Sequence, residues 1–384
     1  MIKTLMLRAV LLLTVIIIAP LQAATLIPAP PQVAARAYII MDADTGKVIM
    51  SSREEERFPP ASLTKMMTSY IVAAELAKGN ISKNDLVPVS VKAWRAPGSR
   101  MFIQEGTQVL LSDLMKGIVI QSGNDASVAV AEYIAGSEAA FADLMNQHAD
   151  LLGMENSQFM NATGLPAEDH YASAHDLALL ARSIIKDYPE HYGMYSEKYF
   201  TYNKIRQPNR NKLLWRDNSV DGLKTGHTEA AGYCLVASAK REGMRLISVV
   251  MGTSSEEARA QESQKLMAYA FRYYRTHKLY DAGQVLETTK IWAGETDNLK
   301  LGLTNELAVT VPRGQNEQLQ AVLDLDKVIQ APVVKGQEYG LVKIMLNEQV
   351  VAEVPVVALE SIAEAGLLKR IWDAIALFFF NLIN

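Results

Sequence analysis

Three short runs in this chain carry residues suited to acyl-transfer chemistry. Ser62-Leu63-Thr64-Lys65, Ser122-Gly123-Asn124 and Lys224-Thr225-Gly226 occur in that order. A serine hydroxyl is a weak nucleophile unless a base sits beside it, and a lysine three residues later lies on the same face of a helix. Pro59-Pro60 cannot continue a helix backwards. Ser62 is therefore expected in the first turn of the helix that follows, where free N–H groups and the positive end of the dipole favour developing negative charge. Lys65 can act as base only if burial or a neighbouring cation lowers its pKa. Lys224 is the candidate for that cation, and Ser122 for relaying the proton. By residue usage, Ser-x-x-Lys is expected about once by chance in a chain of this length, and each of the other two motifs in roughly one chain in ten. All three in order, each at an element boundary, is a strong signal.

The elements that must position these residues can be read coarsely. Tyr38 to Met41 and Lys47 to Met50 flank Asp44-Thr45-Gly46 as strand, turn and strand. From Ala61 to about Ala77, Met66, Met67, Tyr70, Ile71 and Ala74 fall at helical spacing, and mixed helical segments continue to about Tyr188. Val220 to Thr225, Tyr233 to Ser238 and Leu246 to Met251 read as strands whose short links imply antiparallel pairing. A long helix over about Ser255 to Tyr274 closes the region. Strands at both ends with helices between them predict an α+β domain over 24–285. Past Gly283, alternating runs such as Leu307 to Val311, Leu319 to Leu325 and Leu341 to Leu346 predict a small all-β domain over 286–359.

The two ends of the chain have their own character. Lys3 and Arg8 precede the apolar run Ala9 to Ala19, and small residues follow at Ala23-Ala24, so 1–23 is expected to be a secretory signal peptide. In 360–384, Leu368, Ile371, Ile375, Phe379 and Leu382 share one face of a helix and Arg370, Asp373, Asn381 and Asn384 the other. That pattern predicts an amphipathic helix lying in a membrane interface rather than spanning it.

Composition excludes several classes. With 384 residues, 49% of them apolar and 21% charged, the chain can bury a sizeable core. A net charge of -4 gives no general attraction to nucleic acid. Cys234 is the sole cysteine, so no intrachain disulfide forms, and its setting in Tyr233 to Ala237 predicts a packed, inert thiol. Asp44-Thr45-Gly46 occurs once, whereas an aspartic protease needs two such carboxylates; a turn explains it better. His170 and His175, with Asp169 and Asp176, fit no zinc spacing, and these histidines are expected to be solvated in a loop. No metal and no cofactor is called for. Lys204, Arg206, Arg210, Lys212 and Arg216 are interleaved with aromatics, but the overall acidity argues against a nucleic-acid patch; a carboxylate-receiving edge explains Arg210 better, and the others are expected to be solvated.

Taken with their flanks, the motifs resemble those of the low-molecular-mass penicillin-binding proteins, the serine-type D-alanyl-D-alanine carboxypeptidases. The resemblance rests on Pro60 to Thr68, on Gln121 to Ala126, on Asn209-Arg210-Asn211 with Leu213-Leu214-Trp215, and on Val220 to Thr228. It implies a β-lactamase/transpeptidase-like domain, with antiparallel sheet and helical region, followed by the β-rich domain. It also implies that Ser62 attacks the carbonyl between two terminal D-alanines of a peptidoglycan stem peptide while Lys65 takes its proton. Backbone N–H groups of Ser62 and His227 would form the oxyanion hole, with Gly226 beside it. Ser122 would protonate the leaving D-alanine, Asn124 would hold the peptide amide, and Lys224, Thr225 and Arg210 would receive the terminal carboxylate. β-Lactams would acylate Ser62 and leave slowly. The expected location is periplasmic, with the C-terminal helix on the outer face of the inner membrane.

The loop from Glu155 to His175 departs from neighbouring families. Glu168 and Asp169 lack the Glu-x-x-Leu-Asn setting of class A β-lactamases, and Asn161-Ala162-Thr163-Gly164 stands where some members carry a histidine. Two other readings remain, a β-lactamase or esterase on the same frame and a non-catalytic peptidoglycan-binding protein.

Overall fold

A computed structural model describes residues 27–383; the expected signal peptide lies outside them. Two of the three motifs lie in the helical region, and Lys224-Thr225-Gly226 lies on a five-stranded antiparallel sheet. Its strands are β1 (Ala37–Asp42), β2 (Val48–Ser52), β3 (Val220–Thr228), β4 (Gly232–Arg241) and β5 (Met244–Thr253), in the order β2-β1-β5-β4-β3. These strands read as nearly continuous apolar runs because both faces of the sheet are covered. Cys234 and Val236 of β4 join the core under the helical region, while Leu235 and Ala237 join a second core on the opposite face, as the two-residue period of a strand requires. Cys234 is fully buried, and that burial pushes its thiol up to about 11. Asp44-Thr45-Gly46 is a turn: Asp42 Oδ1 accepts from the Asp44 and Thr45 N–H groups at 2.9 Å, and Gly46 takes a φ of +73°.

Helix α1 (Lys65–Lys78) is buried without interruption from Lys65 to Ala74, so it forms the axis of the helical region rather than a surface helix. The sequence places a single helix from Ala61. The structure instead begins with a 3₁₀ turn over Ala61–Thr64 and becomes α-helical at Lys65. Around α1 pack α2 (Asn124–Ala135) and α3 (Ala174–Asp187). On the far side of the sheet lies α4 (Glu256–Tyr273), capped by Ser255 Oγ.

The all-β part begins ahead of the change in texture at Gly283. Strand β6 (Tyr274–Tyr280) leaves α4 directly and pairs with β9 (Leu307–Pro312). The remaining strands are β7 (Val285–Trp292), β8 (Asn298–Gly302), β10 (Leu319–Leu325), β11 (Ile329–Gln330), β12 (Glu338–Leu346) and β13 (Gln349–Ala358), ordered β10-β12-β13-β8-β7-β11. Side chains from both sheets meet in one apolar core. β6 is hard to read from sequence because none of its residues is fully buried and its pattern is mostly polar.

Helix α5 (Leu367–Ile383) rests on this domain by its polar side. Asp373 accepts from the Ala293 N–H at 2.8 Å, and the Lys369 ammonium donates to Gly294 O at 2.6 Å and pairs with Asp297. Phe380 meets the Trp292 ring at 5.9 Å, while other apolar side chains point away from the protein: Leu368 is 86% exposed, Trp372 71% and Phe378 62%. Among the described residues no helix is long and apolar enough to cross a membrane.

Candidate active site

The 3₁₀ turn that carries Ser62 is held from two sides by glycines. A Cβ on Gly164, whose φ is +81°, would lie 1.8 Å from Ala61 O, and one on Gly226 would lie 2.9 Å from Pro60 O. Backbone from the 161–164 loop and from β3 therefore closes directly onto the turn. These contacts bring Ser62, Ser122, Arg210, Thr225, Gly226 and His227 to the wall of one cavity of about 220 Å³. Ser99, Tyr233, Glu256 and Arg259 complete the lining. Six residues drawn from three distant motifs and one loop thus converge.

Lys65 sits behind the serine. Its Nζ donates to Ser62 Oγ at 3.1 Å and to Thr163 O at 2.5 Å. The side chain is wholly buried, and desolvation, helped by the Arg210 guanidinium and opposed by Asp125, brings its pKa from 10.5 to about 7. The Thr163 carbonyl is held in place by Asn161, whose Oδ1 accepts from Thr163 N, Thr163 Oγ1 and Gly164 N. The loop thereby gives the amine one fixed partner while leaving it within reach of the serine.

Lys224 is expected as the cation beside Lys65, and the two buried amines do act on each other, with the Arg210 guanidinium acting on both. Lys224 is itself buried, with its amine on Thr225 O at 3.0 Å. Burial, Lys65, Arg210 and Arg259 all push it well below the ordinary lysine value.

Ser122 takes a φ of +66° at the end of the π turn Gly117–Gln121, which turns its side chain into the cavity wall. Its Oγ is buried and has no hydrogen-bond partner among the described residues, as a group waiting for substrate would be. Asn124 does not line the cavity. Its Nδ2 donates to Pro97 O at 2.6 Å, while Oδ1 is buried and unpartnered. Asp125 next to it, which the motif reading passed over, accepts from Met101, Phe102, Ile103 and Ala126 N–H groups. It fixes the loop that faces Ser122.

Arg210 is held at the open edge by its two neighbours. Asn209 Nδ2 donates to Tyr195 O and Glu197 O, and Asn211 Nδ2 donates to Gly222 O at 2.8 Å. The flanking asparagines are structural, and the arginine between them is exposed. On the other wall Arg259 donates to Gly226 O at 3.2 Å and lies over the Tyr233 ring, on which His227 stacks at 4.0 Å. Neither Arg259 nor Tyr233 carries a motif, and only the fold shows where they stand.

The remaining histidines correct the sequence reading in part. His170 is buried rather than solvated. It meets Thr64 Oγ1 at 2.9 Å, and burial beside Lys65 brings its pKa down to about 4. His175 lies with Glu55 and Asp176, apart from His170. Glu168 and Asp169 are exposed and do not line the cavity.

Residues 24–255 match the family model described as D-alanyl-D-alanine carboxypeptidase, and residues 274–364 that described as penicillin-binding protein 5, C-terminal domain. The D-alanyl-D-alanine carboxypeptidase DacC of Escherichia coli is 43% identical over 357 residues, which cover 91% of this chain and 89% of that protein. The crystal structure of penicillin-binding protein 5 from Haemophilus influenzae matches with a TM-score of 0.83 at 41% identity, covering 88% of this chain and all of that one. Penicillin-binding protein D2 from Listeria monocytogenes, in its ampicillin-bound form, matches with a TM-score of 0.58 at 29% identity, over 63% of this chain and all of its own.

A base that must be neutral to accept a proton sets the pH dependence. With its pKa near 7, Lys65 is mostly protonated below that pH and mostly neutral above it. The rate of covalent trapping by a penicillin, followed by stopped flow, is expected to rise through pH of about 7 and then level off. A rate still climbing toward pH 10 would mean that the amine titrates as an ordinary lysine.

Proposed function

The chain belongs to the D-alanyl-D-alanine carboxypeptidase family, and from that premise we propose how its residues divide the work. It is a serine-type hydrolase that removes the terminal D-alanine from peptidoglycan stem peptides. The observation that carries the residue roles is the 3.1 Å contact between Ser62 Oγ and the buried Lys65 amine. Neutral Lys65 takes the proton as Ser62 Oγ attacks the carbonyl between the two terminal D-alanines. The oxyanion settles against the N–H groups of Ser62 and of His227, on β3, the edge strand of the sheet. Ser122, lacking a partner among the described residues, relays the proton that Lys65 took from Ser62 to the amine of the departing D-alanine. Asn124, buried beside the motif's Ser122, keeps its Oδ1 free for the peptide amide, which it reaches by turning toward the cavity as substrate enters.

The terminal carboxylate is received by Arg210 and Thr225. Its arrival restores a proton to Lys224, since an anion beside a buried amine favours the charged form. Water then cleaves the acyl-enzyme. A β-lactam that copies the D-alanyl-D-alanine end is attacked in the same way. With Glu168 and Asp169 turned to solvent, no carboxylate of that loop is placed to speed its release.

Ser62→Ala is the direct test. It is expected to abolish both D-alanine release from a D-alanyl-D-alanine peptide and the mass increase on incubation with a penicillin, with the melting temperature preserved. A covalent adduct at another residue of the variant would contradict the assignment.

The location proposed is the periplasm, with α5 lying in the outer face of the cytoplasmic membrane. The exposed row of Leu368, Ile371, Trp372, Ile375 and Phe379 supports this, because each CH₂ taken from water is worth about 0.8 kcal/mol. The polar side of the helix is already committed to the β-rich domain, so the apolar side is the one left to insert. Removing residues 367–384 is expected to release the protein from membranes and to leave hydrolysis of small peptides within about twofold. High salt should release little of the intact protein and detergent most of it, as for a mainly hydrophobic attachment. Continued membrane binding by the truncated protein would refute the tether.

A further inference from the structure

The cavity wall carries an acid that the reaction outlined above does not use. Among the described residues that line it, Glu256 is the one carboxylate, set against the guanidiniums of Arg210 and Arg259. It is the first residue of α4, where an acid is commonly explained by the helix dipole. Here Glu257 occupies the same turn and faces away, paired with Arg216 at 2.6 Å. The dipole therefore has an acid without Glu256, whose placement on the cavity calls for a separate reason.

Its partners show that it is fixed rather than free. Glu256 Oε2 pairs with the Lys212 ammonium at 2.9 Å, and Oε1 stands 3.8 Å from Arg259 Nη2, beyond hydrogen-bond reach. Lys212 follows the Arg210-Asn211 pair, which is tied to β3 through Gly222 O. One carboxylate is thus anchored at the rim where Arg210 and Thr225 are placed to receive the end of the substrate. It leaves Arg259 only partly compensated, so the site keeps enough positive charge for one incoming carboxylate. A second carboxylate on the leaving residue would enter beside a fixed anion. Like charges a few ångströms apart at a partly solvated edge repel by an amount worth about five- to tenfold in a rate or binding constant.

We propose that Glu256 is a specificity-determining residue for the leaving amino acid, admitting a D-residue with an uncharged side chain and disfavouring one whose side chain is anionic. The proposal rests on the reading that Arg210 and Thr225 receive the terminal carboxylate.

The test compares two peptides alike except for the last residue, one ending in D-alanyl-D-alanine and one in D-alanyl-D-glutamate. Release of the terminal amino acid gives kcat/KM for each with the full-length protein, with Glu256→Gln and with Glu256→Lys. The wild type is expected to prefer the D-alanine ending. Glu256→Gln should narrow that preference by about five- to tenfold and Glu256→Lys should narrow it further, and both effects should shrink as ionic strength rises. A preference that is the same in wild type and Glu256→Gln would overturn the proposal, as would equal losses on both peptides, which a purely structural role produces. Wild-type protein that releases the terminal residue from neither peptide would overturn the carboxypeptidase reading beneath it, and that result is distinct from the other two.

Discussion

The structure turns on an amine that has been taken out of water. Lys65 is fully buried at the start of a helix that is itself buried along most of its length. Removing a charged ammonium from water is costly, and the group responds by giving up its proton instead. That response is what makes it a base at neutral pH. The same burial costs stability. Because the folded pKa is lowered to about 7 from 10.5, the unfolded chain binds more protons between those values, and stability attributable to this group rises with pH across that window. Below about pH 7 the full cost of charging a buried amine is borne.

Much of the surrounding architecture can be understood as holding that amine in place. Its lone pair must be left for the Ser62 proton, and the fixed partner supplied is a carbonyl, Thr163 O, which accepts an N–H from the amine and has no proton to give it. The Asn161 side chain shapes the loop that offers this carbonyl, and Gly164 lets the loop approach the Ser62 turn without a Cβ in between. Asp125, the acid within electrostatic range, has its carboxylate occupied by four backbone N–H groups. A cation that favours the neutral amine is Arg210, which lines the cavity and is the residue proposed to receive the substrate carboxylate. Base and carboxylate receptor are therefore electrostatically coupled, and an arriving carboxylate alters both.

The parts of this arrangement that were legible in the sequence are those encoded locally. Ser62 and Lys65 lie one turn apart, Lys224-Thr225-Gly226 lies on one strand, and Pro59-Pro60 marks where the turn begins. The apolar runs of β3, β4 and β5 gave the antiparallel sheet, because a sheet covered on both faces leaves a strong signal. Contacts made across long separations left no such trace. The positions of Arg259 and Tyr233 depend on how α4 and β4 meet β3, and the burial of His170 depends on the loop folding back on Thr64. The motifs placed Lys224 beside Lys65 but gave no sign that Arg210, from a distant loop, acts on both buried amines. Strand β6 was missed because it is only partly buried. The amphipathic pattern of α5 was legible, but not that its polar face is held to the β-rich domain through Asp373 and Lys369.

The claim that everything else rests on is that Lys65 is an uncharged base beside Ser62 at neutral pH. Titration of the ¹³Cε resonance of Lys65, assigned by comparison with Lys65→Arg, measures this without any substrate. A midpoint of about 7 is the result the account predicts. A midpoint near the ordinary lysine value of 10.5 would contradict it and leave Ser62 without its base.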